Sequence, residues 1–324
     1  MKATLSSDSG AIVSDIPVPT VGARDVLVKV HAAGLNRADL SVLAGQRHGA
    51  ASGPGTPLGL EWSGEVAAIG SAVRHVKEGD RVMCSGRGGL AEYALTDLGR
   101  VMPIPRNDMS FEQAAGLPIA LQTMHDAVIT HGQLQPGQSI LVQGASAGVG
   151  LMALQIAKWR GASVVIGTST DATRRQRLTT MGADLALDSR DPAWVQQVLQ
   201  ATDGRGVAVT IDQLSGPLAS QNLAATAVCG RIVNVGRLAG MAGDFDFDLH
   251  ALRRIQYIGV TFRTRSVQEV EDITRRLQAD LWPALEAGHL QLPIDSSFAL
   301  ADVAQAYARM KANLHFGKII VRLT

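Results

Sequence analysis

The sequence predicts an α/β protein in which a doubly wound parallel sheet is inserted into a β-rich domain. Three observations carry this. In the middle third, short apolar runs alternate with helix-length segments, the pattern of a parallel sheet covered by helices on both faces. The first third is rich in strands and punctuated by turn clusters such as GAASGPGTP (Gly49–Pro57) and KEGD (Lys77–Asp80). After Phe262 a mixed pattern returns, so the outer domain draws on both chain ends: residues 1–117 and 263–324 around an inserted domain of residues 118–262.

In order along the chain, Val26–His31, Gly64–Ile69, Arg81–Cys84 and Ala91–Leu95 read as strands. Pro103 and Pro105 close this region, and a helix starts at Ser110 with Glu112 in its first turn. The inserted domain has strands Ser139–Gln143, Ser163–Gly167, Asp184–Leu187, Val207–Ile211, Arg231–Val235 and Tyr257–Phe262. Its helices are Val149–Arg160, Ala172–Met181, Pro192–Ala201 and Pro217–Ala227, with Asp191-Pro192 as an N-cap followed by proline. A helix Val267–Glu286 with a bend site at Pro283, a helix Ala301–Lys311 and a strand Lys318–Leu323 complete the chain.

Between Ser139 and Ser169 the chain reads SILVQGASAGVGLMALQIAKWRGASVVIGTS. The strand Ile140–Val142 is followed at once by Gly144, Gly148 and Gly150. An apolar helical run Leu151–Trp159, a helix end at Gly161 and a second strand Val164–Ile166 come next. Glycines let backbone approach phosphates, and a helix N-terminus offers N–H groups and a positive dipole end. The spacing is Gly-x-x-x-Gly-x-Gly; its strand–loop–helix–strand context is what points to a dinucleotide. A ribose with a free 2′-OH is usually met by Asp or Glu at the end of the second strand. Here Gly167-Thr168-Ser169-Thr170 stand there, with no acid before Asp171, and Arg174, Arg175 and Arg177 follow. Small hydroxyls and a guanidinium suit a 2′-phosphate, so the reading is NADPH over NADH. The other reading of these arginines is a solvated helix face, which at least one of them must form.

Composition narrows the partners. Hydrophobic residues make up 46% of the 324 and charged residues 18%, enough for a large core. A net charge of +1 gives no electrostatic case for nucleic acid or an anionic membrane. Two cysteines, Cys84 and Cys229, are too few for a disulfide framework or a structural zinc lobe. MKATLSSDSG lacks the apolar core of a signal peptide, and no stretch approaches the length of a membrane span, so the expectation is a cytoplasmic protein.

Further motifs flank the inserted domain: AAGLNRADLSVLAGQ (Ala32–Gln46), PLGLEWSGEVAAIG (Pro57–Gly70), GDRV (Gly79–Val82), GGLAEY (Gly88–Tyr93), and later WPALEAGHL and HFGKIIV. With these in order, the chain resembles the medium-chain dehydrogenase/reductase superfamily along essentially its whole length. Within it the chain is similar to the zinc-free NADPH:quinone oxidoreductases, in particular the p53-inducible quinone oxidoreductase-like group. The resemblance implies a GroES-like catalytic domain, a Rossmann NADPH-binding domain, and a substrate crevice between them. It also implies a zinc-free site. Zinc-dependent members carry a cysteine in the segment matching Asn36–Asp39 and Gly-His-Glu where this chain has Gly59-Leu60-Glu61. Asn36 and Leu60 stand at those ligand positions, and an amide is a poor zinc ligand and leucine none. Glu61 keeps two readings, a buried hydrogen-bond network or a turn cap.

Carried over position by position, the resemblance places Asn36 beside the nicotinamide, as a donor to a substrate carbonyl or carboxamide. Thr123 falls at the nicotinamide, and Gly148 and Val149 at the pyrophosphate. Thr168, Ser169 and Arg174 fall at the 2′-phosphate, with Ser189 where relatives have a tyrosine. Gly236 and Arg237 fall beside the nicotinamide ribose, and Phe262, Arg263 and Lys318 on the opposite wall of the cofactor cleft. Ala147 replaces a glycine common in relatives, and is small enough to be tolerated.

The implied reaction is hydride transfer from NADPH to a quinone. Quinone-reducing relatives place tyrosines where this chain has Ser41 and Arg47-His48, and aromatic residues are only 4% of the chain. An α,β-unsaturated carbonyl, needing one polarised oxygen and a nearby hydride, fits as well. Either acceptor leaves an oxyanion or enolate for the Asn36 amide or backbone N–H groups to stabilise. No general acid stands out: Arg47 and His48 are nearest, and the other histidines lack ligand spacing. A reading from a different class is an NADPH-binding structural or RNA-binding protein of the zeta-crystallin type; near-neutral charge counts against RNA. The apolar Tyr257–Phe262 edge, which joins subunits in relatives, implies a homodimer.

Overall fold

The apolar runs of the middle third form one six-stranded sheet in which every neighbouring pair is parallel. In chain order its strands are Ser139–Gln143, Val164–Thr168, Leu185–Leu187, Val207–Asp212, Thr226–Asn234 and Gln256–Gly259. In space the third lies at one edge, followed by the second, first, fourth, fifth and sixth. Progression reverses between Ser139–Gln143 and Val207–Asp212, the switch point where such sheets receive ligands at the carboxyl ends of their strands. Ile140, Leu141, Val142, Val165 and Ile166 are fully buried, as parallel strands covered on both faces must be.

The computed structural model describes residues 1–45 and 53–323. It divides into two compact units, one of them Ala120–Thr261 and the other Met1–Ile119 with the chain from Phe262 onward. The discontinuous unit is built on a mainly antiparallel sheet. Its order is Ile294–Ala299, Lys318–Arg322, Asp25–Gly34, Glu61–Ile69, Arg81–Ser85, Val101–Pro103, and Tyr93–Asp97 pairs with Asp25–Gly34 as well. Its core gathers Val26, Val28, Val30, Trp62, Val82 and Leu90. Gly86 and Gly89 make room for the Trp62 indole, since a Cβ at either would come within 2.6 and 2.4 Å of it.

Several boundaries move for local reasons. The edge strand is Gln256–Gly259 and does not reach Phe262: Val260 N–H makes the last bond to the sheet, to the Asn234 carbonyl. The helix expected over Pro192–Ala201 begins at Trp194, because the Asp191 carboxylate accepts from Ala193 N–H and closes a turn ahead of it. Ala172–Met181 is an α-helix Ala172–Arg177 and a 3₁₀ turn Thr179–Met181, stopped by Gly182 at φ 103°. Pro217–Ala227 is a 3₁₀ turn Gly216–Leu218 and a helix Ala219–Ala225, and Thr226 already belongs to a strand. Ala91–Leu95 shifts to Tyr93–Asp97, and Ala301–Lys311 starts as a 3₁₀ turn before the helix Val303–Lys311. The hairpin Lys2–Ser7/Gly10–Asp15 and the short helices Arg37–Leu43, Pro118–Met124 and Phe247–Arg253 were not legible in the apolar pattern. The helix starts at Ser110 and Ser266 are capping boxes, each serine paired with the Gln113 or Glu269 three residues on.

Candidate functional site

In the parallel-sheet unit the site is made of main chain. Gly144 leaves the first strand at φ 69°, a conformation that favours glycine. Ala145 N–H returns to the Thr168 carbonyl at 2.8 Å, which lays the loop across the end of the second strand. The helix Gly148–Trp159 then begins with Ala147 as N-cap; its first turn carries no acidic residue, and no side chain among the described residues caps it. Its first N–H groups and its positive dipole end suit an anion, as a pyrophosphate requires. Gly150 is needed for close approach, because a Cβ there would stand 2.7 Å from the Ala145 Cα.

Buried side chains hold this loop from beneath. Thr168 Oγ1 accepts from Gly144 N–H at 3.0 Å and donates to Gln143 Oε1 at 2.8 Å. Gln143 Nε2 donates to Asn222 Oδ1, and Gln213 Nε2 donates to the Gln143 carbonyl across the switch point. Thr168 is fully buried, so its hydroxyl supports the glycine loop from below. Ser169 Oγ reaches Ser146 Oγ at 3.2 Å, tying strand end to loop. Asp212 is buried with Oδ1 accepting from Leu214 and Ser215 N–H, and burial raises its pKa. Gly236 packs with no room for a Cβ against the Gln213 carbonyl, and Arg237 and Thr123 are half-buried in this unit.

The carboxyl end of the second strand carries the arginines. Asp171 caps the helix Ala172–Arg177 through Arg174 N–H, and Arg174 Nε lies 3.6 Å from its carboxylate. Arg175 turns inward, donating to the Ser169 carbonyl at 2.8 Å and to Asp188 at 3.1 Å. Ser189 is buried between Asp188 and Arg190. Arg190 forks onto Asp188 and also donates to the Thr170 carbonyl.

In the other unit the site is made of ions. Strand register sets Gly34 opposite Glu61 on one side and Ile320 on the other. With no side chain at Gly34, Lys318 and Glu61 meet across it; a Cβ there would come 2.9 Å from Glu61 Oε1. Lys318 Nζ donates to Glu61 Oε1, to the Leu35 carbonyl at 2.9 Å and to Asn36 Oδ1 at 3.4 Å. Asn36 Nδ2 donates to Glu61 Oε1 at 3.0 Å and to the Gly34 carbonyl at 3.3 Å, and Glu61 Oε2 accepts from Ile119 N–H at 2.9 Å. The partners fix the amide orientation, a carboxylate and a carbonyl facing the NH₂ and an ammonium facing the oxygen. Asp39 caps the helix Arg37–Leu43 from within, accepting from Asn36 and Gly59 N–H, and burial pushes its pKa up to about 6. Tyr307 is buried nearby, its pKa raised by burial and by Asp39.

Glu61 is therefore part of a buried network, and its Oε2 also accepts a main-chain N–H in the first turn of the helix Pro118–Met124. Both N–H groups of the Asn36 amide are used within the protein, one by Glu61 and one by the Gly34 carbonyl. Lys318 is buried and paired, while Phe262 is half-buried and Arg263 exposed in the turn that follows the sheet. Gly148 is buried and Val149 half-buried in the first helical turn. Arg47 and His48 lie outside the described residues; Ser41 is half-buried on the Arg37–Leu43 helix. Among the described residues no three His, Cys, Asp or Glu side chains gather as a metal site. Next to Asn36, the Glu61 carboxylate carries an ammonium partner, Lys318. Motif reading missed Asp39, Gln143, Asp188, Arg190 and Tyr307. Of these only Asp39 had a local signal, its place three residues after Asn36.

Residues 22–106 match the alcohol dehydrogenase GroES-like domain, and residues 148–279 the zinc-binding dehydrogenase domain. The chain is 31% identical to human quinone oxidoreductase over 296 residues, 91% of this chain and 87% of that one. It is 30% identical over 311 residues to the low-reducing polyketide synthase drtA of Aspergillus calidoustus, covering 94% of this chain but only 13% of the synthase. The crystal structure of quinone oxidoreductase from Pseudomonas syringae pv. tomato superimposes with a TM-score of 0.88 at 25% identity, covering 99% of each chain.

Proposed function

The chain belongs to the medium-chain dehydrogenase/reductase superfamily, quinone oxidoreductase type, and from that premise we propose that it is an NADPH-dependent, zinc-independent reductase of quinones. The observation that carries the reading is the glycine loop and uncapped helix start beside a strand end rich in guanidinium groups. Gly148 and Val149 would hold the pyrophosphate. Ser169 and Arg174 would meet the 2′-phosphate, with Thr168 bracing the loop and Ser189 packed behind. Thr123, Gly236, Arg237, Phe262 and Arg263 are assigned to the nicotinamide half. When bound, the reduced nicotinamide supplies a hydride.

Asn36 and Lys318 belong to the acceptor side. Lys318 and Glu61 hold the Asn36 carboxamide in one orientation. A substrate carbonyl oxygen can replace the Gly34 carbonyl, the longer of the two bonds that Nδ2 donates, and so be polarised. The fixed ammonium at Glu61 supports chemistry without zinc.

A second reading, reduction of an α,β-unsaturated carbonyl, draws on the matched segment of a low-reducing polyketide synthase and on the absence of tyrosines at Ser41 and Arg47-His48. A homodimer is supported by the edge strand Gln256–Gly259, whose Tyr257 packs against Phe245, itself against Phe247; Phe247 is 77% exposed. Both cysteines are free thiols, in keeping with a cytoplasmic setting, and no described helix is long and apolar enough to cross a membrane.

NADPH oxidation followed by absorbance against 1,2-naphthoquinone, benzoquinone and a graded set of enones and enals tests these readings. Faster turnover with quinones is the expected result. Faster turnover with enones selects the double-bond reductase. NADPH binding with no acceptor turned over would overturn both and leave a structural or RNA-binding role.

A further inference from the structure

The third strand, Leu185–Leu187, runs parallel to the second, and Ser169 N–H donates to the Leu187 carbonyl at 3.0 Å. Asp188 thereby comes level with Ser169 and Thr170, where the chain's own second strand offers no acid. In dinucleotide-binding folds a carboxylate at the end of the second strand accepts a ribose 2′-OH; Asp188 is the carboxylate at the neighbouring strand end. Here both its oxygens are taken. Oδ1 accepts from Arg190 N and Nε at 3.0 and 3.2 Å, and Oδ2 from Arg190 Nη2 at 3.0 Å and Arg175 Nη1 at 3.1 Å. Arg190 holds the Asp188 carboxyl down to about pKa 2. Of the two guanidinium groups on it, Arg175 is turned inward, its side chain 25% exposed, and Arg190 faces out at 68%. Arg174 lies beside Asp171 at the same strand end, 3.6 Å from its carboxylate.

We propose that Arg190, latched onto Asp188, decides between dinucleotides with and without a 2′-phosphate; this rests on the NADPH reading above. Its guanidinium adds a cation for the 2′-phosphate and, in the same geometry, covers the one carboxylate that would accept a 2′-OH. Loss of Arg190 therefore acts in opposite directions on the two cofactors. Loss of Arg174 does not, since its neighbour Asp171 is spent on capping its helix.

The test is the dissociation constant of the full chain for NADPH and for NADH, by quenching of intrinsic tryptophan fluorescence. Wild type is expected to favour NADPH. In Arg190→Ala, NADPH binding should weaken roughly ten- to a hundredfold, the cost of one charge-assisted bond, while NADH binding tightens. Adding Asp188→Asn to Arg190→Ala should cancel the gain for NADH and leave NADPH weak. Arg190→Lys, a cation without the fork, should restore part of the NADPH affinity but less of the discrimination. If wild type favours NADPH and Arg190→Ala keeps the same ratio, or weakens both cofactors alike, this inference falls while the cofactor reading stands. A wild type that does not distinguish the two overturns both.

Discussion

The glycine loop of one unit and the Asn36 cluster of the other handle charge by opposite means. The loop has no ionised side chain of its own: it offers main-chain N–H groups, a helix dipole and space where Cβ atoms are missing. The cluster is built on a buried ion pair. Glu61 is fully buried, Lys318 nearly so, and each depends on the other and on Asn36. A backbone site should tolerate changes of charge nearby but not added volume. A buried ionic site should tolerate changes of volume but not a lone charge.

The largest effect is therefore expected at Lys318. Lys318→Met keeps much of the side chain's length but leaves Glu61 buried without a counter-ion, which should cost about 3–5 kcal/mol in urea denaturation. Lys318→Met with Glu61→Gln removes both charges and should recover most of it. An equal loss in single and double variants would show that packing, not charge, holds this region.

Asp39 sharpens the same point with pH. Its carboxyl is raised to about 6 by burial, against 3.8 when unfolded. Between those values the folded state holds a proton the unfolded state has released, so stability falls as pH rises. Its contribution is complete below about pH 4 and lost through pH 6, at most about 3 kcal/mol. Asp39→Asn should flatten that slope; an unchanged profile would assign the slope to other groups.

The next effect moves to the nucleotide unit. Arg174→Ala should raise the KM for NADPH about ten- to a hundredfold, some 1.5–3 kcal/mol, and barely change that for NADH. Equal loss for both would place Arg174 outside the 2′-phosphate site.

The two regions also differ in how far the sequence reveals them. The glycine loop is local: Ser139 to Ser169 contains the strand, turn, helix and second strand, and each imposes its own residue pattern. The same holds for the capping boxes at Ser110 and Ser266. The ionic cluster joins residues 36, 39, 61, 307 and 318, and only the register Gly34–Glu61 and Gly34–Ile320 explains their meeting. Lys318 was legible only through resemblance, and its partner was open between a network and a cap. Asp188 and Arg190 show the same limit: they meet the end of the second strand from the next strand over, Arg190 on the Thr170 carbonyl and Arg175 bridging Ser169 and Asp188.

The smallest effect tests the backbone half directly. In an open helix, Gly150→Ala would stabilise by about 1 kcal/mol through helix propensity. Here the new methyl meets Ala145 Cα at 2.7 Å and its carbonyl carbon and oxygen at 2.8 Å. These are main-chain atoms of the loop itself, which cannot rotate aside as a side chain would. Relief must come by moving the loop away from the helix start, at a cost of about 1–3 kcal/mol of strain. Net stability should therefore fall slightly or hardly change in thermal unfolding, because propensity offsets part of the strain. NADPH affinity should fall by more than the stability does, since the loop that moves is the one proposed to line the pyrophosphate. A variant as stable as wild type with unchanged NADPH affinity would mean that the loop is not held by this contact, and that the space at Gly150 serves packing alone.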